Sequence, residues 1–358
     1  MKRRVTGNFK LGQVGIGSKH PVSIQSMTTT DTRDATATLE QIKALALAGC
    51  EIIRVAVPDQ EAAGSLKNIT LHSPLPVVAD IHFDYRLALK AMENGVSGLR
   101  INPGNIGNEM KIKEVVKAAT YYHVPIRIGV NSGSLEKDLL DKYRGVKAEA
   151  LVESALRHVR ILEKNNFSMI KISLKSSQVP LMISAYRIIA AEVCYPLHLG
   201  VTEAGTEKIG TIKSAIGIGA LLSEGIGDTI RVSLTGNPLQ EIPVAQSILK
   251  SLGLRKAGVE IISCPTCGRC QINLEKLAND VDKLTAEIKE PLKLAIMGCV
   301  VNGPGEAKEA DLGIAGGKGE GLVFKKGKIV AKVKEDQLLP AFLKELDTLR
   351  RCDRDEDN

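Results

Sequence analysis

Short β-branched runs recur along the chain, separated by longer stretches in which apolar residues return every three to four positions. The runs are Val22–Met27, Glu51–Val57, Pro76–Ile81, Gly98–Pro103, Pro125–Val130, Met169–Lys175, Pro196–Val201 and Thr229–Leu234. Helical periodicity is clearest in Ala37–Gly49, Glu109–His123, Ala148–Asn165, Val179–Val193, Lys213–Ile226 and Glu241–Gly253. Strand then helix, repeated, predicts parallel pairing through right-handed crossovers. Eight such units in about 250 residues have the count and length of a closed (β/α)8 TIM barrel. An open doubly wound sheet is the alternative, and the eightfold count favours the barrel. Before the first strand, Arg4–Pro21 reads as a hairpin able to plug the barrel's N-terminal mouth.

The pattern changes near Lys256-Ala257-Gly258. A cysteine cluster is followed by one helix (Ile272–Ile288), one strand (Leu292–Met297) and glycine-rich turns, which predicts a smaller α+β domain. The expected divisions are 1–254 for the barrel, 258–349 for the second domain and 350–358 for a charged, frayed tail.

Composition narrows the function. Apolar residues make up 44% and charged residues 25%, which excludes disorder over most of the length. Aromatics are 3% with no Trp, so the core must be aliphatic and a base-stacking platform for nucleic acid is a poor fit. The net charge of +7 is a mild excess that suits an anionic ligand. Residues 1–8 carry charge with no apolar run behind them, and no stretch approaches the roughly 20 apolar residues that span a bilayer. A cytoplasmic protein without disulfides is expected.

In a barrel of this kind chemistry sits at the C-terminal strand ends. Read in order, those ends carry Arg54, then Asp80 with His82, Arg100 with Asn102, Arg127 with Asn131, Lys171 and Lys175, Thr202 with Glu203, and Arg231 with Ser233. Inward charges in a barrel often pair with one another. Here cations outnumber Asp80 and Glu203, and surplus buried positive charge calls for an anion from outside. A ring of Arg54, Arg100, Arg127 and Lys175 suits a diphosphate, because the guanidinium fork grips phosphate oxygens bidentately. The turn Asn102–Gly107 adds backbone amides. Gly217-Ile218-Gly219 lies inside a helix with Leu222 at the third glycine's place, and Gly313–Gly321 lacks a Gly-Lys-Ser/Thr end, so neither is a nucleotide loop.

Cys264, Cys267 and Cys270 stand three residues apart and Cys299 supplies a fourth thiol, whereas Cys50, Cys194 and Cys352 are scattered. Three readings of the group compete: an iron–sulfur cluster, a structural zinc and a dithiol redox pair. Zinc usually takes two CxxC knuckles, and only one is present, which favours iron–sulfur. Radical S-adenosylmethionine enzymes use a Cys-x3-Cys-x2-Cys motif near the first strand, and both spacing and position differ here. A pterin-handling transferase with a structural zinc domain and a zinc-ribbon RNA-binding module are the rival classes.

The strings Cys264-Pro-Thr-Cys267-Gly-Arg and Met297-Gly-Cys299-Val-Val-Asn302-Gly-Pro-Gly-Glu306-Ala resemble the 4-hydroxy-3-methylbut-2-enyl diphosphate synthase family of the methylerythritol phosphate pathway. Gln25-Ser-Met27, Arg54-Val-Ala-Val-Pro, Ala79-Asp-Ile-His82, Arg100-Ile-Asn-Pro-Gly-Asn105, Arg127-Ile-Gly-Val-Asn131-Ser-Gly-Ser-Leu, Thr202-Glu-Ala-Gly205 and Gly225–Ser233 extend the resemblance over nearly the whole chain, in the compact bacterial form.

That resemblance implies a [4Fe–4S] cluster held by Cys264, Cys267, Cys299 and Glu306, with Cys270 a bystander outside the family pattern. Carboxylate oxygen matches cluster iron less well than thiolate, so the Glu306 bond would be the exchangeable one. It implies as substrate 2-C-methyl-D-erythritol 2,4-cyclodiphosphate, opened and reduced by two electrons from flavodoxin or ferredoxin with loss of water. Arg54, Asp80, His82, Arg100, Asn102, Arg127, Asn131, Lys175, Thr202, Arg231 and Ser233 would bind it. Lys171 competes with Lys175 for one position. Glu203 would do acid/base or hydroxyl-orienting work, the alternative being an ion pair with Arg231. A homodimer is implied, each cluster domain capping its partner's barrel.

Overall fold

The computed structural model describes residues 2–106, 109–256, 258–286, 288–299 and 307–356. The chain starts with an antiparallel hairpin, β1 (Phe9–Leu11) and β2 (Val14–Ile16). The eight predicted runs then become β3 (Ser23–Met27), β4 (Ile52–Ala56), β5 (Val77–Asp80), β6 (Gly98–Ile101), β7 (Ile126–Asn131), β8 (Ile170–Lys175), β9 (His198–Leu199) and β10 (Thr229–Ile230). Between and after them run α1 (Ala35–Leu47), α2 (Gln60–His72), α3 (Tyr85–Glu93), α4 (Pro103–Ile106), α5 (Glu109–Tyr121), α6 (Lys137–Tyr143), α7 (Ala148–Lys164), α8 (Val179–Glu192), α9 (Glu207–Ser223) and α10 (Glu241–Ser251). Pairing is parallel in the order β8-β7-β6-β5-β4-β3-β10-β9, and a parallel bridge from Ile172 to Leu197 joins the two ends into a barrel.

Strand alternation sorts the side chains. Ile53, Val55, Ala79, Leu99, Ile101, Ile126, Ile128, Val130, Ile170, Ile172 and Leu174 pack outward against the helices in one continuous aliphatic layer. Each such fully buried branched side chain contributes roughly 1.5–3 kcal/mol. Their inward neighbours are largely polar. Asp34, Asp59 and Asp84 cap α1, α2 and α3 by accepting from backbone N–H groups of the first turn, which starts each helix at the C-terminal end of the barrel. At the other end the hairpin acts as the expected plug: Leu11 and Ile16 pack on Ile52 and Val78. Gly98 leaves the space that Leu11 fills, since a Cβ there would fall 2.5 Å from the leucine's Cδ2.

Contacts divide the chain into Met1–Arg255 and Lys256–Asn358. The second unit carries β11 (Val259–Ser263), α11 (Leu274–Thr285), β12 (Leu292–Met297), β13 (Leu312–Gly316), β14 (Glu320–Lys325), β15 (Lys328–Lys334) and α12 (Leu338–Glu356). Its sheet order is β11-β12-β13-β14-β15, parallel through β13 and antiparallel beyond. Leu274, Val281, Leu338, Phe342 and Leu346 close over Leu294, Ile296, Leu312, Ile314 and Val323.

Two expectations are corrected here. The glycine-rich stretch 313–321 is not a set of turns but lies largely in strands, because neighbours fill the places of its missing side chains: Phe324 over Gly313, Ile272 over Gly316 and Leu338 over Gly321. The tail is helical through Glu356 rather than frayed from residue 350. It continues a helix already anchored by Phe342, Leu346 and Leu349, and Arg350 pairs with Glu290 at 3.3 Å.

Gly313 pairs in register with Phe324, and a Cβ there would stand 2.3 Å from the ring's Cζ. Gly313→Ala therefore lowers stability by about 1–3 kcal/mol in urea unfolding of the whole chain, and Phe324→Leu in that background recovers part of the loss. An unchanged midpoint for Gly313→Ala would refute this packing account.

Candidate functional site

Asp80, the last residue of β5, is the hub of the barrel interior. Arg100 Nη1 donates to its Oδ1 at 3.0 Å, Arg54 Nε lies 3.6 Å from Oδ2, and His82 Nε2 lies 3.5 Å from Oδ1. Burial works to raise the Asp80 pKa, but Arg54, the His82 hydrogen bond and Arg100 outweigh it and hold the carboxyl well below its usual range. Arg100 Nη1 also lies 2.9 Å from His82 Nε2, which ties the imidazole into the same cluster. Both Arg54 Nε and Nη2 point at Met27 Sδ, at 3.1 and 2.9 Å.

A second buried carboxylate, Glu241 in the first turn of α10, takes Ser26 Oγ at 2.9 Å, the Leu234 N–H at 3.2 Å and Arg231 at 3.4 Å. Against these two carboxylates the barrel buries Arg54, Arg100, Arg127, Lys171 and Lys175, with Arg231 half-buried. Arg100 Nε and Arg127 Nε and Nη1 are buried donors without an acceptor among the described residues. Burial chiefly, then repulsion from Arg54 and Arg100, pushes the Arg127 pKa well down. Lys175 is pushed well down by burial, then by Arg231 and Arg127. Lys171 is lowered to about 7 by burial, then by Arg127. Room for this crowd comes from two inward glycines: a Cβ at Gly129 would stand 2.7 Å from Arg100 Nε, and one at Gly200 would stand 2.9 Å from Lys175 Nζ.

The remaining expected residues stand around this cluster. Asn102 is buried just past β6, Asn131 ends β7, and Thr202 and Ser233 are half-buried beyond β9 and β10. Lys171 and Lys175 separate by depth. Lys171 pairs in register with Arg127 and lines a small hollow with Phe9 and Leu11 of the plug, while Lys175 ends β8 opposite Asn131 at the mouth.

In the second unit β11 and β12 run parallel and in register, Ser263 beside Ile296. Cys264 and Cys299 thus follow neighbouring strand ends. The Gly298 N–H donates to Cys264 Sγ at 3.2 Å. Cys267 is exposed, and the Arg269 backbone N–H, then the Arg269 side chain, lowers its pKa. Cys270 turns inward: its Sγ donates to Ile272 O at 3.3 Å and abuts Gly298. Among the described residues no three Cys, His, Asp or Glu side chains meet as a metal site. Glu306 and Asn302 lie outside the described residues, as does Gly107 of the turn after β6.

Residues 6–246 match the family model for the GcpE TIM-barrel domain, and residues 260–348 that for the GcpE protein C-terminal domain. The chain belongs to the GcpE family. It is 62% identical over 349 residues to the 4-hydroxy-3-methylbut-2-en-1-yl diphosphate synthase (flavodoxin) of Clostridium acetobutylicum, covering 98% of this chain and 100% of that one. Identity to the enzyme of the same name from Geobacter sulfurreducens is 60% over 344 residues, covering 96% and 98%. The barrel also resembles a crystal structure of dihydropteroate synthase from Stenotrophomonas maltophilia, with a TM-score of 0.51 at 10% identity over 69% of this chain and 97% of that one. At that identity the likeness shows the fold alone.

Three features of the GcpE barrel escape a reading of the sequence. Glu241 is an ordinary first-turn acid in sequence, and nothing there signals that it is 3% exposed and receives Arg231. Met27 offers its sulfur to two guanidinium groups, those of Arg54 and Arg231. Glu203 does not pair with Arg231; its side chain is exposed and its φ is +51°. A left-handed non-glycine residue at a strand-end loop is the kind of local strain that collects at working sites. The thiol set fits an iron–sulfur centre: three cysteines on two adjacent turns, one already receiving a backbone N–H, and Cys270 engaged elsewhere.

Depressed lysines carry a sign that can be measured. Lys171, lowered to about 7, holds fewer protons in the folded protein than in the unfolded chain, so stability rises with pH between about 7 and the free-lysine value of about 10.4 and falls as pH drops through that window; Lys175, also lowered, acts in the same direction. An anion bound among them raises both pKa values and draws protons in. Sulfate, which does not titrate near pH 8, should bind with uptake of up to about one proton in calorimetry across buffers of different ionisation enthalpy. Arg127→Lys keeps the charge but loses the fork and weakens sulfate about tenfold. Binding without proton uptake would contradict the neutral-lysine description.

Proposed function

We propose that the chain reduces 2-C-methyl-D-erythritol 2,4-cyclodiphosphate to (E)-4-hydroxy-3-methylbut-2-enyl diphosphate in isoprenoid precursor biosynthesis, as its relatives' names indicate. The observation that carries the substrate class is the surplus of buried cations, with Arg100 and Arg127 donors that find no acceptor among the described residues. A cyclic diphosphate supplies that charge. Arg54, Arg100, Arg127, Lys175 and Arg231 hold its phosphate oxygens, and Asn102, Asn131, Thr202 and Ser233 orient the ring and its hydroxyls. Asp80 keeps Arg54, Arg100 and His82 in place. Two electrons and two protons enter, the ring C–O bond opens and one hydroxyl leaves as water. Glu203, exposed at the mouth, is the proton donor to the leaving oxygen.

A [4Fe–4S] cluster held by Cys264, Cys267, Cys299 and Glu306 supplies electrons and a Lewis-acidic iron when bound. Reduced flavodoxin or ferredoxin would feed it, in the cytoplasm. Anaerobic turnover of the reconstituted protein with reduced flavodoxin tests the reading. Cys270→Ser should keep cluster content and activity, while Glu306→Ala should abolish activity and perturb the cluster's visible spectrum. Cluster loss in Cys270→Ser would return the fourth position to that thiol.

The working unit is a homodimer in which one copy's cluster unit serves the other's barrel. Arg255 ties the end of the barrel unit to Val22 O at 3.1 Å and Glu51 at 2.8 Å. Both stand where β3 and β4 begin, so the chain leaves the barrel at the face opposite Asp80 and Lys175. A second copy, related by a two-fold, can bring a cluster unit to that mouth. Co-expressing Arg127→Ala with Cys299→Ser and purifying the mixed dimer gives one intact composite site and about half the activity per dimer. A dead mixed dimer would mean that each copy serves itself.

A further inference from the structure

The far edge of the second unit's sheet does nothing in the chemistry above. Residues 318–334 contain six lysines, Lys318, Lys325, Lys326, Lys328, Lys332 and Lys334, and one acid, Glu320. Lys332 pairs with Glu320 at 2.5 Å, and the other five form no ion pair among the described residues. β15 is the edge strand. A register shift at Val323/Phe324 interrupts its alternation, so that two consecutive apolar side chains, Ile329 (57% exposed) and Val330 (45% exposed), face solvent among the lysines.

Lysines along an edge strand also deter edge-to-edge pairing, and that would account for the charge. It does not account for Ile329 and Val330, which such a defence would make polar. We propose that the β14–β15 edge is the docking surface for the reductant: an acidic protein electron carrier of the flavodoxin kind, with Ile329 and Val330 at the contact centre and the lysines as its rim. This rests on the functional reading above. An apolar centre within a charged rim gives fast, salt-sensitive association of modest strength, as a carrier that must leave after each electron requires. The edge lies in the unit that carries Cys264 and Cys299, three strand spacings or roughly 14 Å to the side of β12, and in register Ile329 stands level with Ala295, four residues or roughly 13 Å along the strand before Cys299. Net positive charge concentrated there would steer an acidic partner to the cluster unit.

The test compares the reconstituted full-length enzyme with Lys325→Glu/Lys328→Glu and with a control reversal on α11, Lys276→Glu/Lys283→Glu. Binding of a bacterial flavodoxin is titrated directly, and turnover is measured with flavodoxin and with dithionite-reduced methyl viologen. The hairpin variant should bind flavodoxin at least tenfold more weakly, lose most of the salt dependence between about 0.05 and 0.3 M, and keep its viologen-driven rate within twofold. The α11 variant should match wild type. Unchanged flavodoxin affinity in the hairpin variant, or equal weakening in the α11 variant, would overturn the docking face while leaving the enzyme's function intact. A wild-type protein that fails to turn over with viologen would overturn the functional reading, and the docking face with it.

Discussion

Positive charge that the barrel cannot neutralise from within is the constraint on which the rest of its structure depends. Arg54, Arg100, Arg127, Lys171 and Lys175 are all buried; Asp80 and Glu241 are enclosed with them toward the mouth, and the third buried carboxylate, Asp228, is paired with Arg3 at 2.9 Å. Enclosing like charges without partners disfavours the folded state, and the depressed pKa values of Arg127 and the two lysines express that cost. The fold offsets it outside the ring of strands, where the aliphatic layer between sheet and helices is continuous from Val22 to Leu249. It also limits the crowding with glycine at positions 129 and 200, where any side chain would meet Arg100 or Lys175.

The same constraint explains why the barrel is sealed at one end. Leu11 and Ile16 cover the N-terminal mouth over Ile52 and Val78, and Lys171 lies just above this plug. Water is kept from the deep end, so the cations answer to whatever enters from the other. Approach from the C-terminal mouth meets Lys175, Arg231 and Asp80 first and the unpartnered Arg127 donors further in.

Much of this was readable in the sequence because each strand carries two messages. Outward positions such as Ile53, Ile128 and Ile172 announce the strand, and inward ones such as Arg54, Arg127 and Lys171 announce the site. What could not be read depended on distant partners. β9 and β10 have two residues each, and their place follows from the strands beside them. Gly313, Gly316 and Gly321 look like turn residues until Phe324, Ile272 and Leu338 are seen filling their places. Glu241 is indistinguishable from any first-turn acid, and the sequence could not say that Arg231 would choose it over Glu203. Cys270 shares the spacing of Cys264 and Cys267, yet its thiol is directed to the Ile272 carbonyl, a choice made by local packing.

Cationic groups therefore occur in two places with two physical consequences. Inside the barrel they are dehydrated and fixed by Asp80, Glu241 and the glycine gaps, so each acts over a few ångströms, responds little to salt, and selects a ligand by the geometry of its oxygens. Along β15 the lysines are exposed to solvent, so they act beyond contact distance, are screened by salt, and select by sign alone. Holding a small substrate through a two-electron change needs the first arrangement, and repeated brief visits by a macromolecule need the second. A chain with a net charge of only +7 carries both because the buried cations of the barrel outnumber Asp80 and Glu241, and five of the six lysines in 318–334 form no ion pair among the described residues.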